Sequence, residues 1–248
     1  MSNKKKKKHI KPELEEIVED NQFKHVKLHI KDFKLTDKQK NIINKAFDKN
    51  SKIIFINGPA GSSKTFLAVY CALHLFNTGA HSEIKYIRTI AESGERALGA
   101  LPGTVDEKFN PFMIPLYDKL DELIPLNQTK YLEQQKLIEA LPVNFLRGAT
   151  WKDMIVLIDE CQNFSTKELI TAVTRIGENT KMFICGDSMQ SDVGNKSGFM
   201  KIYDIFNKDE SRDKGIFCFE FKEEDILRSE ILKYIIHTLK KLDKPPIH

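Results

Sequence analysis

Apolar residues along this 248-residue chain come in short blocks whose period changes in a regular way. Residues 52–57 form a continuous apolar run, of the kind carried by a strand buried on both faces. From Lys64 the period lengthens to that of a helix, which places Leu67, Val69, Ala72, Leu73 and Phe76 along residues 64–77. The change repeats downstream. Further strands are expected at 83–88, 143–145, 154–159, 181–185 and 216–221. Helices are expected at 108–124, 131–140, 167–176 and 224–241, the first interrupted in its opening turns by Pro111 and Pro115. Upstream, Thr36 or Asp37 can cap a helix bearing Ile42, Ile43, Ala46 and Phe47. The alternation of Val26, Leu28 and Ile30 suits an edge strand, and 12–20 a short acidic helix. Strands alternating with helices imply an α/β fold: a mostly parallel sheet with helices on both faces, binding its ligands at the carboxyl ends of the strands.

Composition narrows the function classes. The length suits one sizeable α/β domain, expected over 35–248 behind a basic tail and short extension at 1–34. The longest uncharged apolar stretch, 65–73, is far short of the roughly 18 residues of a membrane span. Lys4 to Lys8 lead into Pro12-Glu13-Leu14-Glu15-Glu16 rather than an apolar run, so no signal peptide and a cytoplasmic location are expected. Cys71, Cys161, Cys185 and Cys218 are widely spaced in apolar surroundings, which suits small core residues in a reducing compartment. The seven histidines form no ligand-spaced cluster, so no metal beyond nucleotide-bound Mg²⁺ is expected. The net charge of +4 belongs to the tail: without the six lysines of residues 1–11, 33 basic residues face 35 acidic ones. A nucleic-acid surface on the body must therefore be a local patch. Only six basic residues are arginines (Arg88, Arg96, Arg147, Arg175, Arg212 and Arg228), and arginine's planar donor fork is suited to phosphate.

Two motifs carry chemistry. Gly58-Pro59-Ala60-Gly61-Ser62-Ser63-Lys64-Thr65 nearly matches G-x-x-x-x-G-K-[ST] and lies between a strand and a helix. Inward-turned N–H groups would cradle phosphates, Lys64 would reach the β- and γ-phosphates, and the Thr65 hydroxyl would ligate Mg²⁺. Ser63 replaces the usual glycine; its Cβ crowds the loop, or is tolerated if φ stays negative. The second motif, 154–162, is a buried strand ending in Asp159 and Glu160. Two carboxylates there are costly to desolvate unless they meet a cation. Asp159 can hold Mg²⁺ and Glu160 can polarise the attacking water, which separates an ATPase from a small-molecule kinase. Gly186-Asp187-Ser188-Met189-Gln190 follows the next core strand, where Gln190 could sense the γ-phosphate or position water. Gln39 could pair with adenine's amine and N7, or be a surface glutamine; the residues alone leave both open.

These residues together resemble the PhoH-like ATPases, whose RecA-like P-loop core is similar to the first motor domain of superfamily 1 helicases. The resemblance covers about 35–236. It includes Leu35-Thr36-Asp37-Lys38-Gln39, the phosphate loop, Arg88 with Gly94-Glu95, and Leu98-Gly99-Ala100-Leu101-Pro102-Gly103. It continues through Phe145-Leu146-Arg147-Gly148, Asp159-Glu160-Cys161-Gln162-Asn163, Gly186 to Asp192, and Asp225-Ile226-Leu227-Arg228. Departures are Ser63 for glycine, Thr89 for proline and Cys161 for alanine. The resemblance implies binding and hydrolysis of ATP with Mg²⁺, the adenine role for Gln39, and action on single-stranded RNA or DNA. It also implies a ring of like subunits, most simply a hexamer, in which Arg228, with Arg147 next, reaches a neighbour's γ-phosphate. No attached nuclease domain is expected. Compact members are frequent in bacteriophage genomes, and the composition would suit an AT-rich one. The competing reading is a nucleotide-dependent switch that acts on a protein partner with slow hydrolysis.

Overall fold

The computed structural model describes residues 26–89, 105–143, 146, 150–188, 197–226 and 230–239. Its centre is a six-stranded sheet in the order β3-β2-β4-β5-β1-β6, with every pairing parallel. In chain order the strands are β1 (Ile53–Asn57), β2 (Glu83–Arg88), β3 (Ile138–Pro142), β4 (Met154–Asp159), β5 (Lys181–Gly186) and β6 (Ile216–Glu220). The described helices are α1 (Asp37–Phe47), α2 (Lys64–Phe76), α3 (Val105–Leu123), α4 (Leu126–Gln134), α5 (Thr166–Val173), α6 (Phe199–Phe206), α7 (Asp209–Asp213) and α8 (Glu230–Leu239).

The two-residue period of a strand divides the core into two layers. Ile54 and Ile56 of β1, Ile155 and Leu157 of β4, and Phe183 and Cys185 of β5 face one side. There they pack with Ile42, Leu67, Leu73, Leu120 and Leu132 from α1 to α4. Their alternates, Ile53, Phe55, Val156, Ile158, Met182 and Ile184, face the other side, against Leu169 and Ala172 of α5 and Phe199 and Ile202 of α6. A central strand clothed on both faces explains why β1, β4 and β5 read as unbroken apolar runs.

Two expectations are corrected. Residues 26–30 form no strand beyond a bridge at Val26, because side-chain amides satisfy their backbone. Asn77 both donates to Leu28 O and accepts from Leu28 N, and Gln128 Oε1 accepts from His29 N. The segment 131–140 is not one helix. α4 caps at Gln135, Lys136 takes φ 54°, and Ile138–Pro142 becomes the edge strand β3 beside β2. The strand expected at 143–145 thus lies five residues earlier; a short apolar run beside Pro142 does not fix its own register. Helices α6 and α7 were not foreseen. The acidic helix expected at 12–20 lies outside the described residues.

Candidate nucleotide site

The carboxyl ends of β4 and β5 and the loop that follows β1 meet around a cleft of about 590 Å³. Its lining includes Ala60, Lys64, Thr65, Asp159, Glu160 and Gly186.

The loop is shaped before any ligand arrives. Gly58 has no room for a side chain, because a Cβ there would lie 2.6 Å from Phe221 Cβ. Ser62 is fully buried and donates its hydroxyl to Pro59 O at 2.7 Å, which closes the loop on itself. Gly61 and Ser63 have φ of 79° and 66°. The strained alternative for Ser63 is therefore the one realised: its Cβ occupies a left-handed conformation that costs roughly 1–2 kcal/mol. Two left-handed residues turn the chain so that α2 opens directly on the loop. Leu67 N is bonded to Ser63 O, leaving the N–H groups of the first turn directed outward, with no acidic side chain there to compete with an anion. Lys64 lies back over the loop and donates to Gly58 O at 2.7 Å and Pro59 O at 3.0 Å. These are neutral acceptors that a phosphate displaces readily.

The acidic end is organised from four strands. Thr65 Oγ1 donates to Asp159 Oδ1 at 2.9 Å, and the buried Tyr86 hydroxyl donates to Asp159 Oδ2 at 2.8 Å. Asp159 is 5% exposed, so both its oxygens are held by neutral donors in a dry setting. Thr65 and Asp159 offer converging oxygens, the hard donor type that Mg²⁺ prefers, and Mg²⁺ takes its remaining ligands from water and phosphate rather than from a protein cage. The residues therefore fit the ion. Among the described residues no group of three or more His, Cys, Asp or Glu is placed to hold a metal.

Glu160 follows at φ 54°, a left-handed turn that swings its carboxylate away from the strand axis. Gln162 Nε2 donates to Glu160 Oε2 at 2.6 Å, and Arg88 lies 3.6 Å from Oε1. Burial, then the charge of Asp159, raises the Glu160 pKa, while Gln162, Arg88 and Lys64 oppose the rise. A carboxylate more basic than usual is what water activation at neutral pH requires. Gln162 also accepts Asp187 N at 2.9 Å, and Asn57 Oδ1 accepts Ser188 N at 3.2 Å, which ties the end of β5 to the acidic turn and to β1.

Not every sequence-derived site residue gathers here. Gln39 is 2% exposed and serves the capping box of α1: its Oε1 accepts Thr36 N, and its own N–H donates to Thr36 Oγ1. One lone pair is thereby committed to the backbone, and Gln39 does not line the phosphate cleft. Gly58 and Pro59 lie on the far side of the loop, lining a smaller cleft of about 350 Å³ with Phe221 and Lys222. Gln190, Arg147 and Arg228 fall outside the described residues, as does Arg96. Of the other arginines, Arg212 pairs with Asp209 on the surface, while Arg88 joins the site. Reading the sequence left Tyr86, Gln162 and the Lys119–Glu122 pair of α3 without a role, although Lys119 and Glu122 form the opposite wall of the cleft. Gln162 stands in the motif that runs on from the acidic pair, and Tyr86 left a fainter trace, a polar ring two residues before Arg88 on a core strand.

The family model described as PhoH-like protein matches residues 33–240. The PhoH-like protein of Bacillus subtilis is 35% identical over 195 residues, covering 78% of this chain and 60% of that protein. That of Mycobacterium tuberculosis is 33% identical over 202 residues, 81% and 56% respectively. Protein PhoH of Escherichia coli is 29% identical over 194 residues, 77% and 53%. The chain thus spans little more than half the length of these relatives. Among solved structures, Pif1 helicase from Candida albicans aligns over 88% of this chain and 46% of its own, at 15% identity and a TM-score of 0.44. No helix of the described residues is long and apolar enough to cross a membrane. With a P-loop at the head of α2, an acidic pair at the end of β4 and a family match over most of its length, the chain belongs to the PhoH-like family of P-loop nucleotide-binding proteins.

Proposed function

We propose that the protein binds ATP with Mg²⁺ and hydrolyses it, and that hydrolysis drives unwinding or remodelling of RNA or DNA, engaged as a single strand, by a ring of like subunits. The observation that carries the first step is the convergence of Lys64, Thr65, Asp159 and Glu160 on one cleft. The loop N–H groups and Lys64 hold the phosphates. Thr65 and Asp159 would hold Mg²⁺, which would supply positive charge to offset that of the phosphates. Glu160, held by Arg88 and Gln162, accepts the proton of the attacking water, and Gln190 positions that water.

The nucleic-acid and ring readings rest on the family, not on this cleft. Arg228, at the end of the segment after β6, is the residue assigned to a neighbour's γ-phosphate, with Arg147 second and a hexamer the simplest closed ring. The test is ATP turnover with and without single-stranded RNA and DNA, on the parent and on Lys64→Ala. Turnover in the parent that nucleic acid raises and Lys64→Ala abolishes is the expected result. Slow turnover indifferent to nucleic acid would instead support a switch acting on a protein partner. Mixing Arg228→Ala with Lys64→Ala subunits should recover some activity at interfaces pairing an intact loop with an intact arginine; no recovery despite verified co-assembly removes the trans arrangement.

A further inference from the structure

At the opposite end of the sheet, where the strands begin, lies a second cleft of about 730 Å³ that shares no residue with the nucleotide cleft. That volume is within the range of small-molecule sites. Its walls come from the ends of α1 and α2 and from the segments leading into β1 and β5.

Lys181, the first residue of β5, lies in that wall at 7% exposure. Its ammonium donates to Asp48 O at 2.9 Å and Ser51 O at 2.5 Å. Both acceptors are neutral, and no carboxylate of the described residues is within salt-bridge distance. The charge of Asp48 acts on Lys181, but that carboxylate already accepts Asn50 N at 3.0 Å and faces Lys45 at 3.7 Å. A buried cation with no carboxylate in contact is costly, and here burial, opposed by the charge of Asp48, pulls the lysine pKa down to about 8.

Two more polar atoms in the same wall are buried and have no hydrogen-bond partner: Ser51 Oγ and His81 Nδ1. Their residues are 2% and 5% exposed, a setting in which polar groups are nearly always paired. His81 Nδ1 is free to accept from a hydroxyl, and burial lowers the pKa of the ring, which favours its neutral form. Ser51 lines the same cleft. The rest of the wall is apolar at Phe47, Leu75 and Ile176, and Phe47 is 41% exposed. Lys49 and Lys52 add positive charge, while the acid of the lining, Glu178, is paired with Lys152 at 3.2 Å.

We propose that this cleft is a binding site for a small aromatic anion, with the carboxylate or phosphate on Lys181 and Ser51 and the ring against Phe47, Leu75 and Ile176. Such a ligand supplies a counter-charge in contact with the ammonium, and its flat apolar body suits walls that no phosphate-only ligand would need. This inference does not rest on the reading of the nucleotide site.

Trp151, the sole tryptophan, reports on the site: its carbonyl accepts the Thr180 hydroxyl at 2.9 Å, and Thr180 lines the cleft. The experiment titrates the full chain, with and without ATP, with benzoate, phenyl phosphate, neutral benzamide and inorganic phosphate, following Trp151 fluorescence and calorimetric heat. Benzoate and phenyl phosphate should bind saturably, about tenfold tighter than benzamide. Lys181→Met should remove that preference, and Ser51→Ala should weaken both anions about threefold. Each variant's thermal midpoint shows whether it folds; should Lys181→Met not fold, Ser51→Ala and Phe47→Ala decide. Equal binding of benzamide, competition with ATP, tighter binding of inorganic phosphate than of phenyl phosphate, or unchanged affinity in the folded variants would overturn the proposal.

Discussion

The Tyr86 hydroxyl donates to Asp159 Oδ2 at 2.8 Å across the neighbouring strands β2 and β4, while Thr65 takes the other oxygen of the same carboxylate. The ring is fully buried, and burial followed by the charge of Asp159 raises its pKa well above the ordinary tyrosine value. Tyr86 is therefore a fixed neutral donor. It orients Asp159 so that Oδ1 faces the phosphate loop.

Tyr86→Phe removes that donor and little volume. The Mg²⁺ concentration for half-maximal ATP turnover should rise about tenfold, as outer-shell partners of a metal-binding carboxylate typically demand. Nucleotide affinity measured without Mg²⁺ should stay within about twofold of the parent. An unchanged Mg²⁺ dependence would leave Tyr86 as a packing residue only.

Glu160→Gln keeps shape and hydrogen bonding to Gln162 but cannot take a proton. Turnover should fall by about 10²–10⁴-fold while ATP still binds. A filter-binding assay with labelled ATP beside a phosphate-release assay separates the two. Lost binding with turnover per bound ATP preserved would exchange the roles of Glu160 and Asp159.

Arg88 lies 3.6 Å from Glu160 and counteracts the rise in its pKa. Arg88→Ala removes that counter-charge, so the Glu160 pKa should rise further. Because the ionised carboxylate is the active form, the acid limb of the pH–rate profile should move to higher pH. The sign for stability is the reverse of the usual carboxylate case. A folded-state pKa raised above 4.5 means the folded chain holds this proton longer than the unfolded one. Its contribution is present below pH 4.5 and is lost as pH rises through the folded pKa. An acid limb that does not move in the variant would show the pair to be too weakly coupled to matter.

Ser63→Gly relieves a side chain held at φ 66°. The unfolded chain gains freedom in the same change, so the net gain should be about 1 kcal/mol at most, or roughly 2–4 °C in thermal midpoint. Nucleotide affinity should be equal or better. A destabilised variant, or a large loss of affinity, would give the Ser63 hydroxyl a role that its lack of any capping hydrogen bond does not suggest.

The sequence by itself determined the strands that are buried on both faces, because β1, β4 and β5 carry unbroken apolar residues through their middle positions and so announce themselves without partners. It also determined the phosphate loop and the acidic pair, since a nest of N–H groups and a metal-holding carboxylate depend on residue types at fixed local spacing. It did not determine β3, whose short run at the sheet edge takes its register from β2 rather than from its own pattern. Nor did it show that Gln39 lends its amide oxygen to a four-residue capping box running from Thr36 to Gln39. Tyr86, Arg88 and Gln162 come to Asp159 and Glu160 only through strand register and one left-handed turn. Lys181 shows the same division. In the sequence it is one lysine among many, and only the packing around the start of β5 makes it a buried cation that contacts carbonyls rather than a carboxylate, because desolvation is set by neighbours distant in the chain.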